Sequence, residues 1–301
     1  MPAALTLLAA ATGASACGTT TVPGGGAQVQ AVGAESQYAD VISQVGGRYV
    51  NVTSVMSNPN TDPHEFEASA KVASRLSEAQ LVVQNGLGYD GFMDKLENAV
   101  SPRGQYVVVA AQLVRPRPGT FDPHLWYQPG TMALVARAVA RDLARLQPAH
   151  RAYFAARADA FVSSLAPLHQ AVSAFAAGHP GTPVAVTEPV ADFLLQSAGA
   201  RVLTPASLQT AVMNGTDPSP QDVAFQDRLL SRHLVRALLY NEQVTDAVTS
   251  HFLAVARAAR IPVVAVYETM PQPGYNYQSW MLAEVHALSR AVASGISTTR
   301  L

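Results

Sequence analysis

The chain has 301 residues, of which 49% are hydrophobic and 14% are charged. This balance excludes a disordered chain and leaves enough length for two lobes with separate cores. The net charge is −1 and the sequence shows no basic stripe, which argues against nucleic acid as a partner. A single cysteine excludes an internal disulfide and any CxxC metal site.

The N-terminal segment has the features of an export signal. Residues 4–16 are an apolar run that ends in small residues, directly before Cys17. This arrangement is similar to a bacterial lipobox, in which the cysteine thiol is acylated. We therefore expect a signal peptide over 1–17 with a lipidated Cys17, then a flexible Gly/Thr-rich tether over 18–28. No later apolar run reaches about 18 residues, so no membrane-spanning helix is expected.

From residue 29 onward, short apolar runs alternate with helical patterns. Strict alternation of this kind predicts βαβ units and a parallel sheet. The sequence thus predicts an N-terminal α/β lobe over 29–147. Its predicted strands cover 29–34, 50–56, 79–84 and 106–111, and its predicted helices lie around 38–45, 69–77 and 92–100.

A long helical pattern over 148–177 separates this lobe from a second alternating region over 178–301. Pro167 lies inside the pattern and should kink or split the helix. The expected fold class is therefore α/β, with two lobes, each a mostly parallel four-stranded sheet flanked by helices, joined by a long connecting helix. In the second lobe the predicted strands are 183–188, 201–205, 235–241 and 262–268, and the predicted helices are 191–197, 219–233, 246–260 and 277–293.

One tripeptide, Asp-Pro-His, occurs twice, ending at His64 and at His124. Proline stiffens the backbone just before each imidazole, which suits a metal ligand because fixed geometry lowers the ordering cost of binding. His64 follows the second predicted strand and His124 lies beyond the fourth. The alternative is a pair of Asp-Pro turns whose histidines pack or face solvent.

Two glutamates occupy corresponding places in the second half. Glu188 ends its first predicted strand and Glu268 its fourth. Ligands of open parallel sheets bind beyond the carboxyl ends of the strands. If the lobes face each other along those edges, two imidazoles and two carboxylates converge in the cleft. The alternative for each glutamate is a helix cap or a surface charge.

The order SNPNTDPHEFEAS, NGLGYDGFMDKL, DPHLWYQP and then a long helix resembles the cluster A-I solute-binding proteins. These are the zinc- and manganese-binding components of bacterial ABC importers. The resemblance implies one divalent cation in the interlobe cleft. It also implies a monomer, lipid-anchored on the extracytoplasmic face of the cell membrane, that delivers the ion to an ABC permease and its ATPase. The ligands it implies are His64, His124, Glu188 and Glu268.

The choice between Zn²⁺ and Mn²⁺ stays open at this point. The His-rich loop of many zinc-specific members is absent, and the short RPRPGT stands in its place. Two carboxylates offer hard oxygens that suit Mn²⁺ as well as Zn²⁺. We expect the connecting helix to limit the lobes to small motions, with Glu268 as the mobile ligand because it precedes a Pro/Gly-rich loop.

Three other functions deserve comparison. The glycines of GLGYDG fit a dinucleotide fingerprint, but the next predicted strand ends without the acidic residue that holds a ribose. A zinc-dependent hydrolase would use the same His/Glu cluster with one glutamate as general base, yet neither HExxH nor GxSxG occurs. An adhesin has no separate support in these residues. We therefore expect a binding protein, not an enzyme.

Overall fold

Two parallel four-stranded sheets organise the chain in a computed structural model. The model describes residues 27–58, 66, 69–100, 104–116, 122–271 and 274–301, and for 98–100 the backbone only. The predicted fold class is confirmed. The predicted domain boundaries remain a prediction.

The strands of the first sheet are rich in valine. The two inner strands are buried on both faces, as expected of a parallel sheet covered by helices, whereas the two edge strands keep exposed residues such as Asn51 and Val107. Its strand order is β2-β1-β3-β4, and every pair is parallel. β2 lies on one side of β1, and β3 lies on the other. The strand order therefore reverses at β1, which creates a crevice at the carboxyl end of that strand. The strands are β1 (Val29–Glu35), β2 (Val50–Met56), β3 (Leu81–Gln84) and β4 (Tyr106–Val109).

The second sheet repeats this topology with the order β6-β5-β7-β8, again with parallel pairs. Its crevice lies at the carboxyl end of β5. Ligand-binding edges of the same kind therefore occur in both lobes. The strands are β5 (Pro183–Val186), β6 (Arg201–Val202), β7 (Leu238–Asn241) and β8 (Val263–Val266).

Helices cover both faces of each sheet. The predicted start of one helix at Ser219 is confirmed, because the Ser219 hydroxyl accepts the amide of Asp222. The described helices of the first half are α1 (Ser36–Gly46), α2 (Ala70–Glu78), α3 (Gly91–Val100), α4 (Ala110–Val114) and α5 (Thr131–Leu146). The next are α6 (Arg151–Ser164) and α7 (Ala166–Gly178), followed by α8 (Asp192–Ser197), α9 (Ala206–Met213), α10 (Pro220–Ser231), α11 (Ala247–Ala258) and α12 (Tyr277–Ser294).

The connecting helix is interrupted at Leu165, so the predicted effect of Pro167 is confirmed. A short 3-10 turn precedes this helix. The whole stretch Pro148–Gly178 has the length and apolar composition of a membrane-spanning helix, whereas no such helix is expected from the sequence. Its large side chains lie in the protein core instead: Phe154, Phe161, Leu168 and Phe175. We therefore interpret it as the interlobe connection.

One hydrophobic core runs through both lobes. It contains residues from β1 and β3 as well as β5 and β8, together with α5 and α12. Two smaller cores lie on the outer faces of the two sheets. Because the shared core is continuous, a wide hinge opening would expose buried apolar surface, which favours the small motions expected above.

Several predicted elements are wrong in extent. β6 ends at Val202 instead of 205, and β7 begins at Leu238 instead of 235. β4 ends at Val109 instead of 111, and the short helix α4 begins at Ala110. The helix α9 is not predicted at all. Apolar periodicity alone does not distinguish a buried short helix from a strand end, and this ambiguity explains these errors.

Candidate metal centre

The loop that carries His124 is held by the end of β3. The Asn85 side-chain amide donates to the Pro123 carbonyl over 2.7 Å, and the Tyr38 hydroxyl donates to Asn85 Oδ1 over 2.6 Å. Gly86 follows at φ +83°, where a Cβ would lie only 2.8 Å from a methyl of Val109. The first glycine of GLGYDG therefore allows a tight turn between β3 and α3, and no dinucleotide site is needed to explain it.

His124 is completely buried, and its ring is oriented by Asp122. The Nδ1 atom lies 2.8 Å from Asp122 Oδ1, and the His124 amide donates to the same oxygen. When the ring is neutral, a proton on Nδ1 leaves the lone pair on Nε2. Within the described residues, Nε2 lies 3.4 Å from Glu268 Oε2, where a protonated ring pairs with the carboxylate and a neutral ring leaves the Nε2 lone pair without a donor. The neutral ring would therefore offer a buried lone pair to a cation.

Glu188 and Glu268 are buried side by side across the end of the second sheet. The Asn241 side-chain amide donates to Glu188 Oε1 over 2.8 Å and to Glu268 Oε1 over 2.7 Å. Both glutamates lie two residues beyond β5 and β8, so neither closes a strand as predicted. Two carboxylates on one amide form a concentrated negative charge, which a divalent cation would neutralise.

Both lobes hold Glu268. Tyr89 of the first lobe donates its hydroxyl to Glu268 Oε2 over 2.8 Å, and the Gln37 amide donates to the Glu268 carbonyl over 3.0 Å. The Glu268 amide itself donates to Gln243 Oε1 over 2.6 Å. Glu268 is thus held through its carboxylate and its backbone by side chains of both lobes, and its role as the mobile ligand stays a prediction.

The electrostatics of this region favour a cation. Burial lowers the pKa of His124, but the hydrogen bonds and charges of Asp122 and Glu268 outweigh it and raise the pKa to about 10. Burial, together with the charge of Asp90, raises the pKa of Glu35 well above its usual range. An excess of buried carboxyl groups near one imidazole is expected where a positive ion binds.

The structure brings three of the four predicted ligands together. His124 and Glu268 are in direct contact, and Glu188 is joined to Glu268 through Asn241. His64 and Cys17 lie outside the described residues. No group of three His, Cys, Asp or Glu side chains in the described part has the geometry to hold a metal by itself. The ligand set therefore remains a prediction.

Sequence reasoning missed the polar residues that orient the candidate ligands. Asn241, Gln243 and Tyr89 all contact the side chain or backbone of Glu268, and none of them is assigned to the site from the sequence. One signal was available for Asn241, because it ends the strand that lies between β5 and β8. A polar residue there faces the same edge as Glu188 and Glu268.

We predict that Asn241→Ala destabilises the metal-free protein more than the metal-loaded one. Without the shared amide, Glu188 and Glu268 lose a buried donor, which costs about 2–3 kcal/mol in free energy of unfolding. A bound cation would neutralise the two carboxylates and so offset the loss of this donor. Urea unfolding with chelator and with excess Mn²⁺ measures both values. Asn214→Ala, on an exposed turn, is the control, and an equal loss in both conditions would contradict the prediction.

Comparison with protein families gives one match over residues 32–291, to the family described as zinc-uptake complex component A, periplasmic (ZnuA). The fold is similar to that of the periplasmic zinc-binding protein TroA from Treponema pallidum, with a TM-score of 0.74 and 20% identity over 89% of this chain and 99% of that one. A crystal structure of ZnuA gives a TM-score of 0.73 and 20% identity over 88% and 100% of the two chains. These likenesses show a shared fold.

Curated relatives show the same pattern at the sequence level. The manganese-binding lipoprotein MntA of Bacillus subtilis is 30% identical over 46% of this chain and 47% of its own. The zinc-binding protein TroA of Treponema pallidum is 28% identical over 42% of each chain. The chain thus aligns with about half the length of these relatives.

Proposed function

The chain belongs to the family of periplasmic zinc-uptake component A, and from this membership we propose that it is an extracytoplasmic binding protein for Zn²⁺ or Mn²⁺. The metal ion is its cargo. We propose that it captures the ion between its lobes and delivers it to an ABC permease with an associated ATPase. The relatives named above are binding proteins, so the hydrolase alternative gains no support from them.

The observation that carries this proposal is the buried Nε2 of His124, which lies between aromatic rings and 3.4 Å from Glu268 Oε2. In a protein without cargo, this nitrogen would either leave a buried lone pair without a hydrogen bond, at a cost in free energy, or hold a proton. A divalent cation satisfies it and neutralises the adjacent carboxylates. His64 would complete the set from the first lobe, with Glu188 and Glu268 from the second.

The ligand chemistry leaves both metals possible for this chain. Two imidazoles and two carboxylates match the nitrogen and oxygen donors that Zn²⁺ accepts, and they also match Mn²⁺, which favours oxygen. Zn²⁺ has the higher intrinsic affinity for most such sites. Lipid anchoring through Cys17 would place the protein on the outer face of the membrane, close to the permease.

Metal affinity is predicted to rise with pH. His124 has a raised pKa in the metal-free protein, so a proton must leave before Nε2 binds an ion. Competition by one such proton changes the apparent Kd by about tenfold per pH unit below that pKa. Calorimetric titration of the metal-free protein with Zn²⁺ and with Mn²⁺, between pH 5.5 and 8, gives the affinity and the stoichiometry.

One bound ion per chain, with a higher melting temperature, is the expected result. Failure of both ions to bind stoichiometrically would contradict the proposed function. A Kd that does not change with pH would contradict only the role given to His124. Titration in buffers of different ionisation enthalpy counts the protons released and separates the two cases.

A further inference from the structure

A groove lined by four arginines lies between α5 and α6, away from the candidate metal centre. It has a volume of about 430 Å³. Three of the arginines recur at every fourth residue of α5 and therefore share one face of that helix, whereas the fourth comes from the start of α6. We call this the arginine groove; its basic residues are Arg137, Arg141, Arg145 and Arg151.

The charge of the arginine groove is only partly neutralised. Arg141 and Arg145 both pair with the buried Asp142, and Arg137 pairs with Asp159. The three arginine side chains nevertheless keep 53–58% of their surface exposed. Four arginines against two aspartates leave a net positive surface. The expectation of no basic stripe is thus wrong for this face: three arginines recur along one side of α5, and helix packing brings Arg151 beside them.

The described chain begins beside the same groove. The Gln147 side-chain amide, two residues after Arg145, donates to the carbonyl of Ala27 over 2.9 Å. Only nine residues, 18–26, lie between Cys17 and Ala27. The chain from Cys17 to Ala27 therefore reaches at most about 35 Å when fully extended. A lipid on Cys17 would therefore keep the groove close to the bilayer.

The candidate metal centre lies at the other end of the first lobe. β1 begins at Val29, two residues after Ala27, and ends at Glu35. Two residues later, Gln37 donates its side-chain amide to the Glu268 carbonyl. Seven strand residues span about 20 Å. A surface that rests on the membrane through the arginine groove would thus leave the cleft directed toward the solution.

We propose that the arginine groove binds the phosphate groups of anionic phospholipids in the membrane to which the chain is tethered. This inference rests on the lipid anchor of the proposed function. Guanidinium groups form paired hydrogen bonds with phosphate oxygens, and their planar shape suits a crowded headgroup layer. The tethered protein rests with its cleft open to solution, and it must detach and turn before it meets a permease cleft-first.

Weak binding suffices for this role. A short flexible tether gives the groove a local concentration of about a millimolar relative to the membrane surface. Each arginine near an anionic surface strengthens binding about fivefold. The groove therefore needs no deep lipid pocket, which agrees with its alanine floor: Ala140, Ala144, Ala155 and Ala158.

The test uses the chain from Cys17 onward, because the described cores lie within residues 29–291. Cys17 is the only cysteine, so it couples selectively to a maleimide lipid in vesicles. The vesicles contain either phosphatidylcholine alone or a mixture with phosphatidylglycerol. Amide hydrogen exchange over residues 147–155 reports whether the turn between α5 and α6 lies against the membrane, and a Cys17→Ser form measures untethered binding by flotation.

Slower exchange over 147–155 is expected on the anionic vesicles only. The triple substitution Arg141→Gln, Arg145→Gln and Arg151→Gln should abolish this slowing and weaken flotation by about tenfold or more. The control replaces three exposed arginines of the second lobe with glutamine and should change flotation less than about twofold; they are Arg232, Arg236 and Arg257.

Equal exchange on both vesicles, or an unchanged triple variant, would overturn the inference. So would protection by millimolar inorganic phosphate without any vesicle binding, since the ligand would then be the free anion. Metal titration of the triple variant keeps this test separate from the proposed function. Unchanged metal affinity with lost membrane contact is the expected result, and a thermal melt checks that the variant is folded.

Discussion

His124→Ala is expected to weaken the binding of Zn²⁺ and Mn²⁺ by at least about a hundredfold, the scale on which even outer-shell partners of metal ligands act. The substitution removes a buried nitrogen that lies 3.4 Å from Glu268 and is already oriented by Asp122. Competition titration against a chelator of known affinity measures the change. The same loss is expected for His64→Ala, which tests the predicted ligand outside the described residues.

Two controls make this result specific. His169→Ala removes an exposed histidine of α7 and should leave the metal Kd unchanged. Asp122→Asn keeps the shape next to His124 but removes the charge that orients the ring. It should weaken binding about 10–100-fold. If His124→Ala binds metal like the wild type, the assigned site is wrong, whatever the family.

The free energy of unfolding of the wild type is expected to fall as the pH rises from about 4.5 to about 8, and Glu284→Gln is expected to remove this fall. Glu284 is buried at the lobe interface and accepts hydrogen bonds from the Tyr127 hydroxyl and from Trp280 Nε1. Burial raises its pKa to about 8, although these hydrogen bonds oppose the shift. An unfolded glutamate has a pKa of about 4.3.

The sign follows from proton binding. Because the folded state holds the proton more tightly, Glu284 contributes its stability in full below the unfolded pKa. That contribution is lost as the pH rises through the folded pKa, with a slope of at most about 1.4 kcal/mol per pH unit. Glutamine stays neutral, so the variant should be more stable than the wild type at pH 8. Urea unfolding with chelator at several pH values measures the difference.

The control for this experiment is Glu78→Gln, which removes a carboxylate from the exposed end of α2. Its pH profile should match that of the wild type. A Glu284→Gln profile with the same slope as the wild type would contradict the assignment. The proton would then reside on other buried carboxyl groups with raised pKa values, such as Glu35 or Asp90.

The interface around Glu284 also connects the two loops that carry the candidate ligands His124 and Glu268. The Tyr127 hydroxyl donates to the Tyr267 carbonyl and to Glu284, and Tyr127 lies three residues after His124. Tyr267 directly precedes Glu268. A buried hydroxyl of the first lobe thus joins the loop that carries His124 to the residue before Glu268.

The sequence by itself determined the alternation of strands and helices and the break near Pro167. It also indicated the sheet edge at which His124, Glu188 and Glu268 lie. Those features depend on local rules: apolar period, proline geometry and the position of polar residues after a strand. The motif around His124 was recognisable because its Asp, Pro and His are adjacent.

Only the tertiary structure decided which side chains hold the candidate ligands and where the positive surface lies. Asn241 is 53 residues from Glu188, and Tyr89 is 179 residues from Glu268. No local pattern encodes such pairs, because buried polar groups take their partners from whichever element packs beside them. The arginine groove has both origins, since the spacing of three arginines along α5 is a local pattern, whereas Arg151 joins them only where α5 packs against α6.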